Sequence, residues 1–449
     1  MGTRQYIGAR YVPKFYENSL GTAEWQAGVI YEPLTIVTYN GNSYTSKRNV
    51  PANIGNPSTN TFYWVATGNY NEQINELQND VNDLQEDSKT LKNQVNWYTP
   101  EMFGAVGDGT TDDSQPFIDM LAAVSAGDTI VLTKNKYKVN SPLTINKHDL
   151  KIIGFGKSEQ YNTIVTDLTD GAFITVSTYG VTFDSVGVMG VGYDSTGTQI
   201  LIYFNCDDTT NVGNIDATLN NCAIAKTHIG VASKGRNVEI RGCIFSQCFY
   251  GFEAQPCTGG YECRGHIVQG CRIHGCGIAF HNAITSAHDR KNVLIDSNFI
   301  DASGGIFKGY SAGVIISNNL FDHYSSLVNY HCIELTQDPL TTHSEPCVVK
   351  NNAITGGGMS GTGILVNTGV YVRIHGNTIS NIRYDGICLA GTAVAIVDSN
   401  FVDNCGQVSG RYNFSIAATV TGALTNNVNK SGTISGGTGM TSDGNITLT

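Results

Sequence analysis

Nine short segments between residues 219 and 429 share one pattern, in which apolar residues alternate with polar ones around a central Asn or Cys. The central residues are Cys222, Cys243, Cys271, Asn298, Asn319, Asn352, Asn377, Asn400 and Asn427. They are 21 to 33 residues apart, and a second apolar segment that begins near a glycine follows in the typical copy. Strands this short cannot bury an apolar face alone, so the repeat predicts coils that stack into a solenoid. We therefore expect an all-β chain whose main domain is a right-handed parallel β-helix.

The repeat also decides between interpretations of four closely spaced cysteines. Cys243 and Cys248 form one pair, and Cys271 and Cys276 form the next, so zinc ligands and two disulfides are both conceivable. In other copies Asn or Ser takes the same positions, as Ser303 does in the coil that follows. Equivalent positions of stacked coils lie about 4.8 Å apart. Since Cys is a small apolar substitute in such a column, the repeat favours stacked, reduced thiols.

A heptad pattern precedes the repeat, between residues 71 and 97. Its seam, with steps of three and four residues, is Ile74, Leu77, Val81, Leu84, Ser88, Leu91 and Val95. A stripe only two positions wide per heptad favours a short coiled coil over a single amphipathic helix packed on a domain. β-branched residues at one seam position with Leu at the other favour two strands, but three heptads specify the number of strands only weakly.

Residues 1–70 are rich in aromatic and turn-forming residues. The segment "LTIVTYNGNSYTS", residues 34–46, alternates around Asn40-Gly41, a dipeptide typical of a type I′ hairpin turn. This predicts a small β module. We expect four parts in all: the module (1–70), the coiled coil (71–97), the β-helix (98–430), and a tail (431–449) that forms either a final coil or a trimer tip.

Composition narrows the classes of partner. The chain of 449 residues has a formal net charge of −11 and no basic stripe, so nucleic acid is not expected as a partner. The first residues contain no apolar run typical of a secretory signal, and no apolar stretch is long enough to cross a bilayer, so we expect no membrane insertion. Nothing in the sequence indicates a cofactor or a metal.

The segment "FGAVGDGTTDDSQPFIDMLAAV", residues 103–124, combines a Gly-Asp-Gly loop with an amphipathic helix. Asp112 or Asp113 can cap that helix, which we favour over a calcium loop that includes Asp108. The segment resembles the opening motif of the pectate-lyase-like superfamily of β-helix proteins, in the form found on phage tailspikes and related fibres. The resemblance covers about residues 98–430. It implies that the helix plugs the first coil of the solenoid.

Residues 20–70 resemble the small chitin-binding type of carbohydrate-binding module. The matching residues are Trp25, Gly28, Tyr31, Val37, Tyr39, Asn40, Gly41, Tyr44, Pro57 and Trp64. Binding to sugar needs exposed aromatic faces. The resemblance makes Trp25, Tyr31, Tyr44 and Trp64 candidate glycan-binding residues, while docking of the module to a virion is an equal alternative.

Polysaccharide cleavage would need acidic or basic groups on one outward face of the solenoid. If the first residue after each repeat glycine points inward, Glu253, His281 and Glu334 share an outward face with Phe307, which would then contact glycan. Glu253 and Glu334 are three coils apart, about 14 Å, which exceeds the ~5–9 Å of a glycosidase pair. Asp338 or a neighbouring subunit would have to supply the partner. The alternative is that these carboxylates are ordinary solvated surface acids.

Three long insertions, at residues 255–265, 282–292 and 336–347, follow this face. Inserts on adjacent coils stack beside one another, and solenoids bind ligands at such places. We therefore expect the insertions to form the wall of a binding groove.

The order of module, coiled coil and β-helix resembles a phage tailspike or appendage fibre. The resemblance implies a homotrimer on the virion, made in the host cytoplasm, in which the N-terminal module contacts other virion proteins. It implies recognition of a bacterial surface polysaccharide and leaves open whether a glycosidase or lyase activity cleaves it. One alternative is a head or neck fibre that only adheres to cells, and another is a cell-associated polysaccharide lyase.

The cysteine assignment gives the first prediction. We expect purified protein to contain no metal bound by Cys243, Cys248, Cys271 and Cys276, because the repeat assigns these positions to structural columns. Elemental analysis for zinc checks this, and zinc at one equivalent per chain would contradict it.

Overall fold

In the computed structural model of the protein, the described residues are 13–68, 76–87, 97–156, 163–205, 214–256, 264–283, 292–322, 330–337, 346–357 and 361–448. The chain divides into two compact units, Met1–Asn96 and Trp97–Thr449.

The larger unit is built on long parallel sheets. One of them, which we call face A, has 14 strands. Its strands are Trp97–Tyr98, Thr129–Val131, Lys151–Ile153, Thr182–Asp184, Asn214–Asn220, Arg236–Arg241, Ile267–Gln269, Val293–Asp296, Val314–Ser317, Cys347–Lys350, Tyr371–His375, Val394–Asp398, Thr421–Thr425 and Met440–Asp443.

The second sheet has 24 strands and folds into two further faces. Face B comprises Asp108–Asp112, Lys136–Lys138, Thr163–Val165, Gly187–Met189, Arg272–His274, Phe299–Asp301, Leu320–Asp322, Ala353–Thr355, Thr378–Ser380, Phe401–Asp403, Val428–Lys430 and Ile446–Leu448. Face C comprises Leu143–Ile145, Ala172–Val176, Ile200–Phe204, Ile278–Asn282, Gly305–Tyr310, Ile333–Thr336, Ile364–Val366, Ile387–Leu389, Phe414–Ile416 and Ile434–Gly436. Two long strands, Ala223–Ser233 and Ile244–Ala254, run from face B into face C without a break.

A typical coil contributes one strand to each face, so the unit is a right-handed parallel β-helix, as predicted. At about 4.8 Å per coil, the strands of face A extend over about 60 Å. Inward side chains form one continuous apolar core, within which Phe252, Phe280 and Phe307 stack on successive coils. The tail also belongs to the stack, because its strands pair in register with the preceding coil. Of the two alternatives for the tail, the structure therefore supports the final coil.

The corner between faces A and B is held by the predicted column of Asn and Cys. The Asn319 side-chain oxygen accepts hydrogen bonds from the backbone amide and the side-chain amide of Asn298, at 3.0 and 2.9 Å. The same pattern recurs at each following coil and extends one coil beyond the sequence pattern, to Asn445. The amide of Cys271 donates to Asn298, and that of Cys222 donates to the Cys243 sulfur. Asn and Cys thus occupy one column.

The helix Ser114–Ala123 lies at the N-terminal end of the stack and buries Phe117 and Met120 against the first coils. A 3-10 helix, Pro100–Phe103, precedes it. Asp113 stands at the N-cap position, but its carboxylate accepts hydrogen bonds from the amides of residues 106 and 107. Asp112 instead accepts from the Ser114 amide at 3.0 Å. Both carboxylates fix the opening loop, and the helix plugs the solenoid, as the resemblance implied.

The N-terminal unit contains a small sheet with strands Lys14–Phe15, Thr35–Tyr39, Asn42–Ser46 and Trp64–Gly68. Asn40 and Gly41 both adopt positive φ, as a type I′ turn requires.

The aromatic residues of this unit correct one expectation. Tyr31, Tyr44 and Trp64 are buried and form the small core, so these rings cannot stack on a sugar. The prediction that these three bind glycan is wrong, because a module this small needs its large aromatic rings as core. Trp25 is partly exposed and packs edge-on against Tyr39 at 5.4 Å.

Residues 76–87 are helical, within the predicted coiled coil. The seam side chains in this stretch, Leu77, Val81 and Leu84, are 63%, 46% and 68% exposed in the single chain. The remaining seam positions, Ile74, Ser88, Leu91 and Val95, lie outside the described residues. The coiled coil therefore stays a prediction.

The Asn column gives a prediction on stability. Asn352→Ala removes the oxygen that accepts both the backbone and side-chain amides of Asn319, at 3.0 Å each. Two buried donors lose their partner, so we expect the free energy of unfolding to fall by about 3 kcal/mol. Urea denaturation measures this. Thr378→Ala, on the exposed side of the next coil, is the control and should change little; equal effects of the two changes would contradict the role of the column.

A buried histidine gives a second prediction. His266 is fully buried, and burial lowers its pKa to about 3. Because the folded state disfavours the charged form of His266, its contribution to the free energy of unfolding is fully present above the ordinary pKa of about 6.5. This contribution is lost progressively as the pH drops below that value. Lowering the pH from about 7.5 to about 5 should therefore reduce the free energy of unfolding of the wild type by up to about 2 kcal/mol more than that of the His266→Gln variant. The glutamine keeps an acceptor for the Val238 amide. Urea midpoints at both pH values test this, and parallel losses would contradict it.

Candidate functional site

Four charged residues occupy successive outward positions on face C. Strand register places Glu253 beside His281, His281 beside Lys308, and Lys308 beside Glu334. Adjacent positions in such a column lie about 4.8 Å apart. We call these four residues the charged column. It continues with the uncharged Leu365, Cys388 and Ser415.

Glu253 and His281 form a close and largely buried pair. The Glu253 Oε2 atom lies 2.7 Å from His281 Nδ1, with only 9% and 18% of the two side chains exposed. The second carboxylate oxygen accepts a hydrogen bond from the Gln255 side-chain amide at 2.7 Å. Because a carboxylate oxygen accepts, Nδ1 is the donor, and Nε2 is left as the nitrogen that can take up or release a proton.

Tyr250 covers the histidine from the neighbouring coil. Its ring stacks on His281 with centroids 4.1 Å apart and an angle of 14° between the planes. Burial, with the negative charge of Glu253 adding to it, raises the pKa of Tyr250 to about 12. Tyr250 therefore remains a neutral phenol throughout the physiological pH range.

An aromatic cluster adjoins Tyr250. Phe249, itself buried, contacts Tyr250 at 4.5 Å, Tyr193 at 6.1 Å and Tyr330 at 6.4 Å between ring centroids. The three tyrosine side chains are partly exposed, and burial also raises the pKa of Tyr193. Partly exposed aromatic rings of this kind offer faces on which a sugar ring can stack.

The second half of the charged column is more open. Lys308 Nζ lies 3.9 Å from Glu334 Oε2 and 5.5 Å from the centre of the Tyr330 ring. Behind Glu334, burial lowers the pKa of His331, and its Nδ1 atom accepts a hydrogen bond from the Thr362 amide at 3.1 Å. His331 is thus neutral and structural, whereas Lys308 carries its charge at the surface.

The structure brings three of the predicted residues into one column, namely Glu253, His281 and Glu334. Phe307 does not join them: it is fully buried and stacks on Phe280 at 5.7 Å, so the prediction that it contacts glycan is wrong. The physical reason is register, because Lys308 and not Phe307 pairs with His281. Asp338 lies outside the described residues, as do the central parts of the three insertions.

The spacing limits the chemistry that one chain can perform here. Glu253 and Glu334 are three column positions apart, about 14 Å, which is too far for hydrolysis by a pair of carboxylates. The arrangement that remains is a histidine oriented by a carboxylate, which is suited to acid–base catalysis. A cation and neutral phenols lie beside it.

Sequence reasoning missed Lys308, Tyr250, Tyr193 and Tyr330. Lys308 could have been found by aligning Phe252, Phe280 and Phe307 as one inward stack, since the next residue of each strand then points outward. The tyrosines have no periodic signal, because Tyr193 and Tyr330 lie between strands.

No group of three or more His, Cys, Asp or Glu side chains in the described ranges is placed to hold a metal ion. Among the helices of that same part of the chain, none has the length and apolar character to cross a bilayer.

Solved structures similar to this chain include an epimerase module, a catalytic domain and a phage tailspike protein. The A-module of mannuronan C-5 epimerase AlgE6 from Azotobacter vinelandii is 13% identical, with 78% of this chain and 99% of that chain covered and a TM-score of 0.52. The Agl-KA catalytic domain is 11% identical, with coverage of 79% and 68% and a TM-score of 0.52. Bacteriophage CBA120 tailspike protein 3 is 12% identical, with coverage of 94% and 75% and a TM-score of 0.48.

No protein-family model and no curated protein matches the chain. At such low identity, the likeness to the epimerase module and to the Agl-KA domain shows the parallel β-helix fold alone.

Proposed function

We propose that the protein is a phage tailspike or appendage fibre that binds a bacterial surface polysaccharide along face C and cleaves it at the Glu253–His281 pair. The observation that carries the proposal is the buried pair itself, 2.7 Å apart within an outward column of a solenoid. Outward side chains of a solenoid are buried only where neighbouring side chains enclose them. Acidic and basic groups enclosed together in this way are typical of functional sites.

The aromatic cluster supports binding. Tyr193, Tyr250 and Tyr330 are partly exposed beside the charged column, and stacking on rings combined with hydrogen bonds to charged groups is suited to polysaccharides. Successive coils repeat every 4.8 Å or so, which gives an extended face for an extended ligand.

The pair supports cleavage by acid–base chemistry. Glu253 holds the Nδ1–H group of His281, which orients the ring and leaves Nε2 to exchange a proton with substrate. Tyr250, protonated because its pKa is about 12, is available to donate a proton or a hydrogen bond.

The order of the parts supports a place on a virion. Leu77, Val81 and Leu84 are exposed on a helix in the single chain, and packing of further copies would cover them. We propose the homotrimer that the resemblance implies. Burial of Tyr31, Tyr44 and Trp64 favours docking to other virion proteins over glycan binding as the role of the N-terminal module.

One observation favours a second candidate, an adhesion fibre that binds without cleaving. The separation of about 14 Å between Glu253 and Glu334 excludes a two-carboxylate mechanism by these two residues. Among the described residues, cleavage then rests on the Glu253–His281 pair.

The test uses the full-length protein and a panel of purified bacterial capsular and cell-wall polysaccharides. Release of reducing ends and absorbance of unsaturated products measure cleavage, and co-sedimentation measures binding. We expect Glu253→Ala and His281→Ala to lower the cleavage rate by about 100-fold or more, because general acid–base catalysis contributes about that much. Glu334→Ala should have a smaller effect, since Glu334 lies two column positions from the histidine.

Glu239→Ala is the matched control, because Glu239 is a half-exposed carboxylate on face A whose partner is Arg241. It should cleave at the wild-type rate. Binding without cleavage would make the protein an adhesion fibre. Neither binding nor cleavage across the panel would overturn the proposed function.

A further inference from the structure

A pocket opens at the ends of three adjacent face C strands. Its volume is about 290 Å³, and His281, Asn282, Lys308 and Tyr310 are among the residues that line it. This volume is close to the lower end of small-ligand pockets, which are typically about 300–1,000 Å³. The pocket therefore has room for a group the size of one sugar residue, next to the Glu253–His281 pair.

Lys308 brings a positive charge to this pocket. Its side chain is 38% exposed, and within the described ranges the carboxylate paired with it is that of Glu334, 3.9 Å away. This distance is longer than a hydrogen bond between an ammonium and a carboxylate, about 2.7–2.9 Å. The Lys308 ammonium can therefore turn its donors toward a ligand.

Asn282 brings a buried acceptor. It is 2% exposed, and its side-chain amide donates to the Tyr310 carbonyl at 2.8 Å. Its oxygen has no hydrogen-bond partner within the described part of the chain. The oxygen is enclosed and has almost no accessible surface, so Asn282 lines the pocket without presenting this acceptor to a ligand.

We propose that this pocket binds one acidic sugar residue of the polysaccharide. Lys308 pairs with the carboxylate or phosphate of that residue. The net charge of the whole chain is −11, so an acidic polymer is repelled by the molecule as a whole. The positive charge of Lys308 then supplies the local attraction that an acidic residue needs in order to bind. The inference rests on the proposed function and names the substrate class of the same face.

The test measures affinity by titration calorimetry with full-length protein. The probes are the polysaccharides of the panel that bind, each intact and after its acidic groups have been neutralised by carboxyl reduction or by dephosphorylation. We expect Lys308→Met to weaken binding of an intact acidic polysaccharide by about tenfold or more, because a charge-assisted hydrogen bond contributes at least that much. Lys308→Arg should retain most of the affinity, since it keeps the charge.

Lys350→Met is the matched control, because Lys350 is a partly exposed lysine at the end of a face A strand. It should bind as wild type does. Wild type and Lys308→Met should bind the neutralised polysaccharide equally weakly. Whichever treatment removes the effect of Lys308 identifies the acidic group as carboxylate or phosphate.

Two results would overturn the inference. If the polysaccharides that bind are neutral, or if Lys308→Met binds an acidic one as wild type does, the pocket does not select an acidic sugar, while binding on face C still stands. If no polysaccharide binds, the inference and the proposed function fail together.

Discussion

The stacking of one coil on the next is the constraint on which the rest of this molecule depends. A single coil has three strands that are too short to be stable alone, and each coil gains its hydrogen bonds and its apolar contacts from its neighbours. The sharp corner between faces A and B is the difficult part, because a buried corner leaves backbone groups without partners. The Asn column satisfies them: each side-chain oxygen serves the coil before it, and each side-chain amide also reaches a backbone carbonyl, as Asn298 does with Val268.

This constraint explains which parts of the fold the sequence predicts well. The corner needs a small side chain with a specific hydrogen-bonding pattern, so Asn recurs at each coil from Asn298 to Asn427. This regular recurrence allows the column to be recognised in the sequence. Where Cys replaces Asn, at Cys222 and Cys243, a sulfur still accepts a backbone amide at 3.3 Å. The solenoid follows from that regularity, whereas the opening helix was predicted from the segment 103–124 and the tail was left open between a final coil and a tip.

The outward face was harder to predict because glycine is a poor register marker. Gly251 lies in a long unbroken strand and faces Ala279 of the next coil, whose carbonyl a Cβ on Gly251 would meet at 2.8 Å. Since Ala279 comes two residues after Gly277, the two glycines occupy different places in their coils. The doublet Gly304-Gly305 adds a one-residue ambiguity, and a slip of one residue exchanges the two faces of a strand. For this reason Phe307 was expected outside and Lys308 was missed. In the N-terminal unit, aromatic residues indicated a surface although a sheet this small requires them as core.

The alternation of inward and outward side chains along face C separates two demands on the sequence. Phe252, Phe280 and Phe307 keep the coils together from inside, while Glu253, His281 and Lys308, the next residues along the same strands, contribute little to that core. Substitutions in the outward column therefore leave the stacked aromatic core itself unchanged. The chemistry of this face can vary one residue at a time while the contacts that hold the coils together are kept.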